Sequence, residues 1–132
     1  MKQALLIYAI LLCSLPSLYA QKSAPPATGS VSRSAKTGIA SYYGAKFHGK
    51  RMANGQKFDE NGLTAASNTL SLGTWVRVSN LRNNKSVIVQ ITDRMHPKNK
   101  RLIDLSKAAA KKLGFLNRGL AKVKVEVTDP RR

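Results

Sequence analysis

Apolar and polar positions alternate along this chain in short runs, and the period switches to that of a helix only once. GIASYYG (38–44) reads as a strand ending in aromatics and a glycine, and LTAA (63–66) as a short apolar piece of strand. From Trp75 to Leu81, Val76 and Val78 lie opposite Trp75, Arg77 and Ser79, and Asn83-Asn84 then tolerates the positive φ of a hairpin turn. Along Lys85 to Asp93, Val87, Val89, Ile91 and Asp93 share one face, and Ile88, Gln90 and Thr92 the other. Asp93 is therefore expected to end the apolar face of its own strand, an unusual place for a carboxylate. Asp104 follows Leu102 at strand spacing and sits between Ile103 and Leu105.

After Asp104 the pattern becomes helical. Ser106 is a good N-cap, Ala108 to Ala110 favour helix, Lys111 and Lys112 suit a C-terminal turn, and Gly114 can stop it. The last run, AKVKVEV (121–127), sets Val123, Val125 and Val127 against Lys122, Lys124 and Glu126. Between the first two strands, Ala45 to Gly62 has three glycines and few β-branched residues, so it is expected to be a long loop. The sum is a mainly β chain of five or six short strands with one or two short helices, which suggests a small closed barrel.

The N-terminus has a different character. Lys2, the apolar run Ala4–Leu15 and the small residue at Ala20 form the pattern of a secretory signal peptide, too short to span a bilayer comfortably. Export to the periplasm or cell envelope is expected, with Cys13 offering the rival reading of a lipidated outer-membrane protein. Residues 21–37, rich in Ser, Ala and Pro, are expected to be a flexible tether, 38–128 the domain, and 129–132 a basic tail. Cleavage after Ala20 would leave no cysteine, so neither disulfide nor thiol chemistry is expected.

The net charge is +17, and losing Lys2 with a leader lowers it by only one. Charge on this scale describes partners rather than fold. Anionic envelope polymers and acidic lipids are the first polyanions an exported protein meets, and nucleic acid is not expected as a partner. The loop Arg94–Arg101 alone holds five basic residues, Arg94, His96, Lys98, Lys100 and Arg101.

Several chemistries find no residues to carry them. Two distant histidines and no cysteine pair give no metal-ligand spacing, and no metal or cofactor is expected. The sequence has no G-x-S-x-G and no glycine-rich nucleotide loop. Carboxylate chemistry remains, the usual means of breaking a glycosidic bond. An acid that donates a proton near neutral pH needs apolar surroundings. Asp104, between Ile103 and Leu105, suits that role better than Asp93, whose neighbour is Arg94. Asp104 could instead cap the following helix, and Asp93 could pair with Arg94 or accept backbone hydrogen bonds.

GIASYYG, KFHGKRMANGQKFD, LTAASNTLSLGTWVRVSNL, SVIVQITDR and RLIDLSKAAAKKLG, taken in order, resemble successive blocks of the RlpA-like (rare lipoprotein A) double-psi β-barrel family, over roughly 38–127. The resemblance implies a six-stranded double-psi barrel and an endolytic lytic transglycosylase of the cell envelope. Such an enzyme would cleave peptide-stripped glycan strands and leave 1,6-anhydro-N-acetylmuramic acid ends without using water. It implies Asp104 and Asp93 as catalytic candidates, with Tyr42, Tyr43, His48, Asn54, Gln56, Ser67 and Arg94 lining the sugar groove. Gln56 stands where the family usually has a glutamate and Ser67 where it has a histidine, and neither can replace the lost group in proton transfer. A non-catalytic peptidoglycan-binding barrel is therefore the alternative. Many relatives add a C-terminal peptidoglycan-binding domain. With the sequence ending at Arg132, targeting by that route is not expected, and outer-membrane or cell-division proteins are the further partners to consider.

Overall fold

The computed structural model describes residues 34–131. The leader expected over 1–20, Cys13 and most of the tether lie outside the described residues. Six strands, β1 (Lys36–Tyr42), β2 (Thr64–Ala66), β3 (Trp75–Asn80), β4 (Ser86–Asp93), β5 (Ile103–Leu105) and β6 (Ala121–Val127), close into a barrel in the order β1-β5-β2-β4-β3-β6. Two pairings, β1 with β5 and β2 with β4, are parallel, and the other four are antiparallel. The expected small six-stranded barrel is what forms. β1 takes in Lys36 and Thr37 ahead of Gly38, because both pair with β6, opposite Val125 and Lys124.

The barrel is filled from the alternating valines and isoleucines. Val76, Val78, Val89, Ile91, Ile103 and Leu105 are fully buried, which is the half-buried pleat that β-branched side chains suit. Val127, expected inward, is the last residue of β6 and, though paired with Val76, stays exposed. The helix α1 (Lys107–Leu113) starts at Ser106, whose Oγ accepts from Ala109 N–H at 3.3 Å and donates to Gly62 C=O at 2.6 Å. It stops at Gly114 in the left-handed region, φ 75°. Asn80 and Asn83, from the β3–β4 hairpin, both donate through Nδ2 to Leu113 C=O, so that hairpin also satisfies the helix end.

One irregularity decides where the acids point. Between β2 and β4 the register slips: Ala65 pairs with Ile91 but Ala66 pairs with Asp93, leaving Thr92 as an inserted residue. A one-residue insertion exchanges the faces of everything after it. Thr92, expected on the polar face, is buried, with Oγ1 3.2 Å from Met52 Sδ. Asp93, expected to end the apolar face, is turned off it. On the opposite edge of β2, Ala66 pairs with Asp104, which in turn pairs with Ser41 on β1. Cross-strand partners project to the same side of a sheet. Their neighbours Ala40, Ile103, Ala65 and Ile91 fill the core, so Ser41, Asp104, Ala66 and Asp93 form one row on the other side of four adjacent strands, with Ala66 and Asp104 covered there. Two strand spacings set the backbones of the two acids about 9–10 Å apart.

Phe115, just after α1, is the largest fully buried side chain and meets the ring of Tyr42 edge-on at 5.9 Å. Phe115→Ala is expected to cost about 3–5 kcal/mol in urea unfolding. A cost below about 1 kcal/mol would mean that this end of the core is not packed as described.

Candidate active site

Asp93 gathers donors from three separate stretches of chain. Tyr43 Oη–H donates to Oδ2 at 2.8 Å, and Ala53 N–H and Arg94 N–H donate to Oδ1 at 2.9 and 2.8 Å. Tyr43 can reach because it follows Tyr42 on β1 and so projects outward, on the side of the acid row. Its own N–H donates to Leu105 C=O at 2.9 Å, which extends the β1–β5 ladder by one residue. Burial pushes the Tyr43 phenol well above its ordinary range, and the hydrogen bond to Asp93 and the charges of Asp93 and Asp104 push the same way. Tyr43 is thus held as a neutral donor.

The segment expected to be a long loop is an ordered lobe. After a 3₁₀ turn (Ala45–Phe47), the chain folds back on itself with Gly49 N–H to Phe58 C=O at 2.8 Å, Phe58 N–H to Lys50 C=O at 2.7 Å and an Arg51–Lys57 bridge. Met52 and Phe58 are buried beneath it, and the Phe58 ring lies 4.6 Å from that of Tyr43. Gly55, at φ 87°, makes the tight tip. That tip docks on the β4 bulge through Ala53 N–H to Asp93 and Asn54 N–H to Thr92 C=O at 3.1 Å. Asn54 and Gln56 are exposed on it and bonded to each other, Asn54 Nδ2–H to Gln56 Oε1 at 3.1 Å. His48 lies at the base of the lobe, its Nδ1 accepting from Glu60 N–H at 3.2 Å.

Asp104 has a different partner from the one expected. Its flanking apolar residues point into the core, while its own carboxylate is gripped side-on by Arg101, Nε to Oδ1 at 2.8 Å and Nη2 to Oδ2 at 3.0 Å. The Asp104 side chain is 12% exposed and that of Arg101 39%. The hydrogen bond to Asp104 raises the guanidinium pKa above its usual value. Nor does Asp104 cap the helix, since Ser106 does. Arg94, in contrast, sends its guanidinium away from Asp93 to the carbonyls of Ser67 and Leu70. Only its backbone N–H serves Asp93. The guanidinium beside an acid is therefore that of Arg101 on Asp104 and not that of Arg94 on Asp93, and the apolar setting expected for Asp104 is not its environment.

The remaining candidates divide. Tyr42 turns inward, packs on Phe115 and donates through Oη to Leu116 C=O at 2.8 Å. Ser67 has no exposed surface, and its Oγ accepts from the N–H groups of Thr69 and Leu70, both at 3.2 Å. Ser67 is thus closed off within the fold, and Tyr42 is half-buried against the core. Tyr43, Asn54, Gln56 and His48 share one side of the acid row. On the other side a groove of about 1030 Å³ runs between the start of β1 and the 94–101 loop, lined among others by Thr37, Asn68, His96, Lys98, Lys100 and Arg101. None of the expected sugar-binding residues lines it. Arg101, counted in the sequence only as one more loop cation, joins groove and acid row. Its signal was the i,i+3 spacing to Asp104.

The closed six-stranded barrel of mixed strands is a double-psi β-barrel. The chain belongs to the double-psi barrel family described as lytic transglycolase, which it matches over residues 35–125. It is 50% identical over 95 residues to the endolytic peptidoglycan transglycosylase RlpA of Neisseria meningitidis, covering 72% of this chain and 40% of that protein. It is 57% identical over 93 residues to the RlpA of Pseudomonas aeruginosa, covering 70% of this chain and 27% of that protein. The chain thus spans less than half the length of these relatives. Among solved structures it is similar to a Streptomyces papain inhibitor, with a TM-score of 0.57 at 27% identity over 73% of this chain and 96% of that one. It is also similar to an expansin of Clavibacter michiganensis, with a TM-score of 0.57 at 20% identity over 74% of this chain and 52% of that one, a likeness of fold alone.

A phenol whose pKa is raised on folding contributes stability that is full below the unfolded value, about 10, and is lost as pH rises above it. Wild-type stability in urea is expected to fall above about pH 10, and Tyr43→Phe to flatten that fall while costing about 0.5–1.5 kcal/mol at neutral pH. Identical alkaline slopes in the two proteins would show that Tyr43 is not held as a donor to Asp93.

Proposed function

We propose that this domain is a lytic transglycosylase acting on peptide-stripped peptidoglycan strands, with Asp93 as its acid/base. The observation that carries the assignment is that Asp93 is surrounded by neutral donors, whereas Asp104 is occupied by Arg101. Oδ1 is filled by two backbone N–H groups, that of Ala53 on the docked lobe tip and that of the adjacent Arg94. Among the described residues Oδ2 accepts from Tyr43 alone, which leaves its second lone pair for a proton. From Oδ2 a proton passes to the glycosidic oxygen as the bond from C1 of N-acetylmuramic acid to the N-acetylglucosamine oxygen breaks. The 6-hydroxyl of the same muramic acid then attacks C1, and its proton returns to Oδ2. The product is a 1,6-anhydro end, no water is consumed, and one carboxylate serves both steps. Tyr43 steadies the carboxylate between them.

Gln56 lies on the lobe tip that docks against Asp93, where an acid would add a second proton carrier, and it cannot act as one itself. The same observation favours a second reading, a barrel that binds strands without cutting them. Export to the cell envelope, read from the first twenty residues, belongs to either reading and supplies the polymer. Outer-membrane and cell-division proteins are the partners that would localise it.

The test is a digest of peptide-free glycan strands read by mass spectrometry. Anhydro-ended fragments are expected from the wild type, none from Asp93→Asn, and a reduced yield from Asp104→Asn. Both variants are checked for folding by circular dichroism and by strand binding. Loss in Asp104→Asn with full activity in Asp93→Asn would reverse the two roles. Binding without products from the wild type would establish the second reading. Gln56→Glu, at an exposed position, is expected to raise the rate by about a hundredfold, at the low end of what a positioned acid/base supplies. An unchanged rate would remove the substitution as a limit on turnover.

A further inference from the structure

The Asp104–Arg101 pair has a consequence for what the groove accepts. A guanidinium has five N–H groups on two usable edges, the side-on Nε/Nη2 edge and the end-on Nη1/Nη2 edge. Asp104 takes the side-on edge with two short bonds. No partner among the described residues takes Nη1. Arg101 lines the large groove, where Lys98, Lys100 and His96 are its neighbours and no carboxylate is among the lining residues. Asp104 is fixed in its turn, since it lies in β5 between its pairs with Ser41 and Ala66. The arrangement is a second-edge fork, anchored by a buried acid and open to a cavity of one charge sign.

We propose that Arg101 reads a carboxylate on the glycan held in this groove, with Asp104 as the positioning residue that aims it. The inference rests on the glycan reading above, and the ligand class is a strand with acidic sugars, whose lactyl carboxylates recur at every second residue. Fork-to-fork pairing with a carboxylate is planar and bidentate, so it fixes the register of the strand as well as its charge. Register is what a chemistry at one bond of an alternating polymer requires. Seated on Arg101, a muramic acid is placed beyond Asp104 along the row from Asp93, at a distance of at least about two strand spacings.

The experiment measures equilibrium binding of two probes, peptide-free glycan strands and the same strands with their carboxyl groups reduced to alcohols. Wild type is expected to prefer the acidic strands by about tenfold or more, the scale of one bidentate charged pair. Arg101→Lys keeps the charge and loses the fork, so the preference should collapse to about threefold or less with binding of the reduced strands unchanged. Asp104→Asn should lower the preference in the same selective way, because Arg101 is no longer aimed. Lys112→Ala removes a charge from α1, where it borders a separate hollow with Lys85, Lys107 and Lys111, and should leave the preference intact. Full preference in Arg101→Lys, or an equal loss in Lys112→Ala, would overturn the proposal in favour of diffuse attraction by the basic surface. Equal binding of both probes by the wild type would overturn it while leaving the glycan reading standing. Binding of neither would overturn both.

Discussion

The site depends on one carboxylate being turned outward and then tied in place. The inserted Thr92 rotates Asp93 off the core face, and the three hydrogen bonds it then accepts join the end of β1, the tip of the 49–58 lobe and the start of the basic loop. Each donor is itself anchored: Tyr43 by the β1–β5 ladder and the Phe58 ring, Ala53 by the turn around Gly55, Arg94 by the carbonyls its side chain holds. Without the bulge a charge would face the core, and no set of partners there could offset its desolvation. Bulges commonly re-aim a side chain beside a functional site, and this one does so at the end of a strand whose inward residues before it, Val87, Val89 and Ile91, are all apolar.

Two aspartates in one row thus acquire different work from their surroundings. Ala66 is the shared partner of both, so their placement is symmetric about β2. Their donors are not. Asp93 accepts from a phenol and two backbone N–H groups, none of them charged, whereas a guanidinium clamped side-on makes Asp104 half of an ion pair whose other half faces a cationic groove. Separation of environments is the ordinary way for two like acids to take separate roles.

Much of the barrel is written in its alternation. The inward valines of β3 and β6, the β3–β4 hairpin at Asn83-Asn84, the Ser106 cap and the Gly114 stop all follow from local rules and appear in the structure. Asp93 and Asp104 also stand out locally, as acids at the ends of apolar strands. Period-two counting fails at Thr92, because a bulge is set by pairing with β2, some thirty residues earlier in the chain, and strand patterns carry no mark of their partners. For the same reason Ser67 is legible as a residue of the right block but not as a buried one, nor Tyr42 as half-buried against the core, and the order of the 49–58 lobe, built from a few long-range bonds and two buried side chains, is hidden in its glycines. Arginine partners are the least legible of all. A flexible side chain chooses among acids by geometry, so sequence adjacency set Arg94 on Asp93 where the fold sets Arg101 on Asp104.

The most direct measurement is a crystal structure of the Asp93→Asn variant with a peptide-free glycan strand bound. The expected result is a glycosidic oxygen within about 3 Å of the side chain at position 93, hydrogen-bonding reach for proton transfer, with the 6-hydroxyl of the same muramic acid on that side. A strand lying elsewhere, with its scissile bonds away from position 93 or centred on Asp104, would contradict the account.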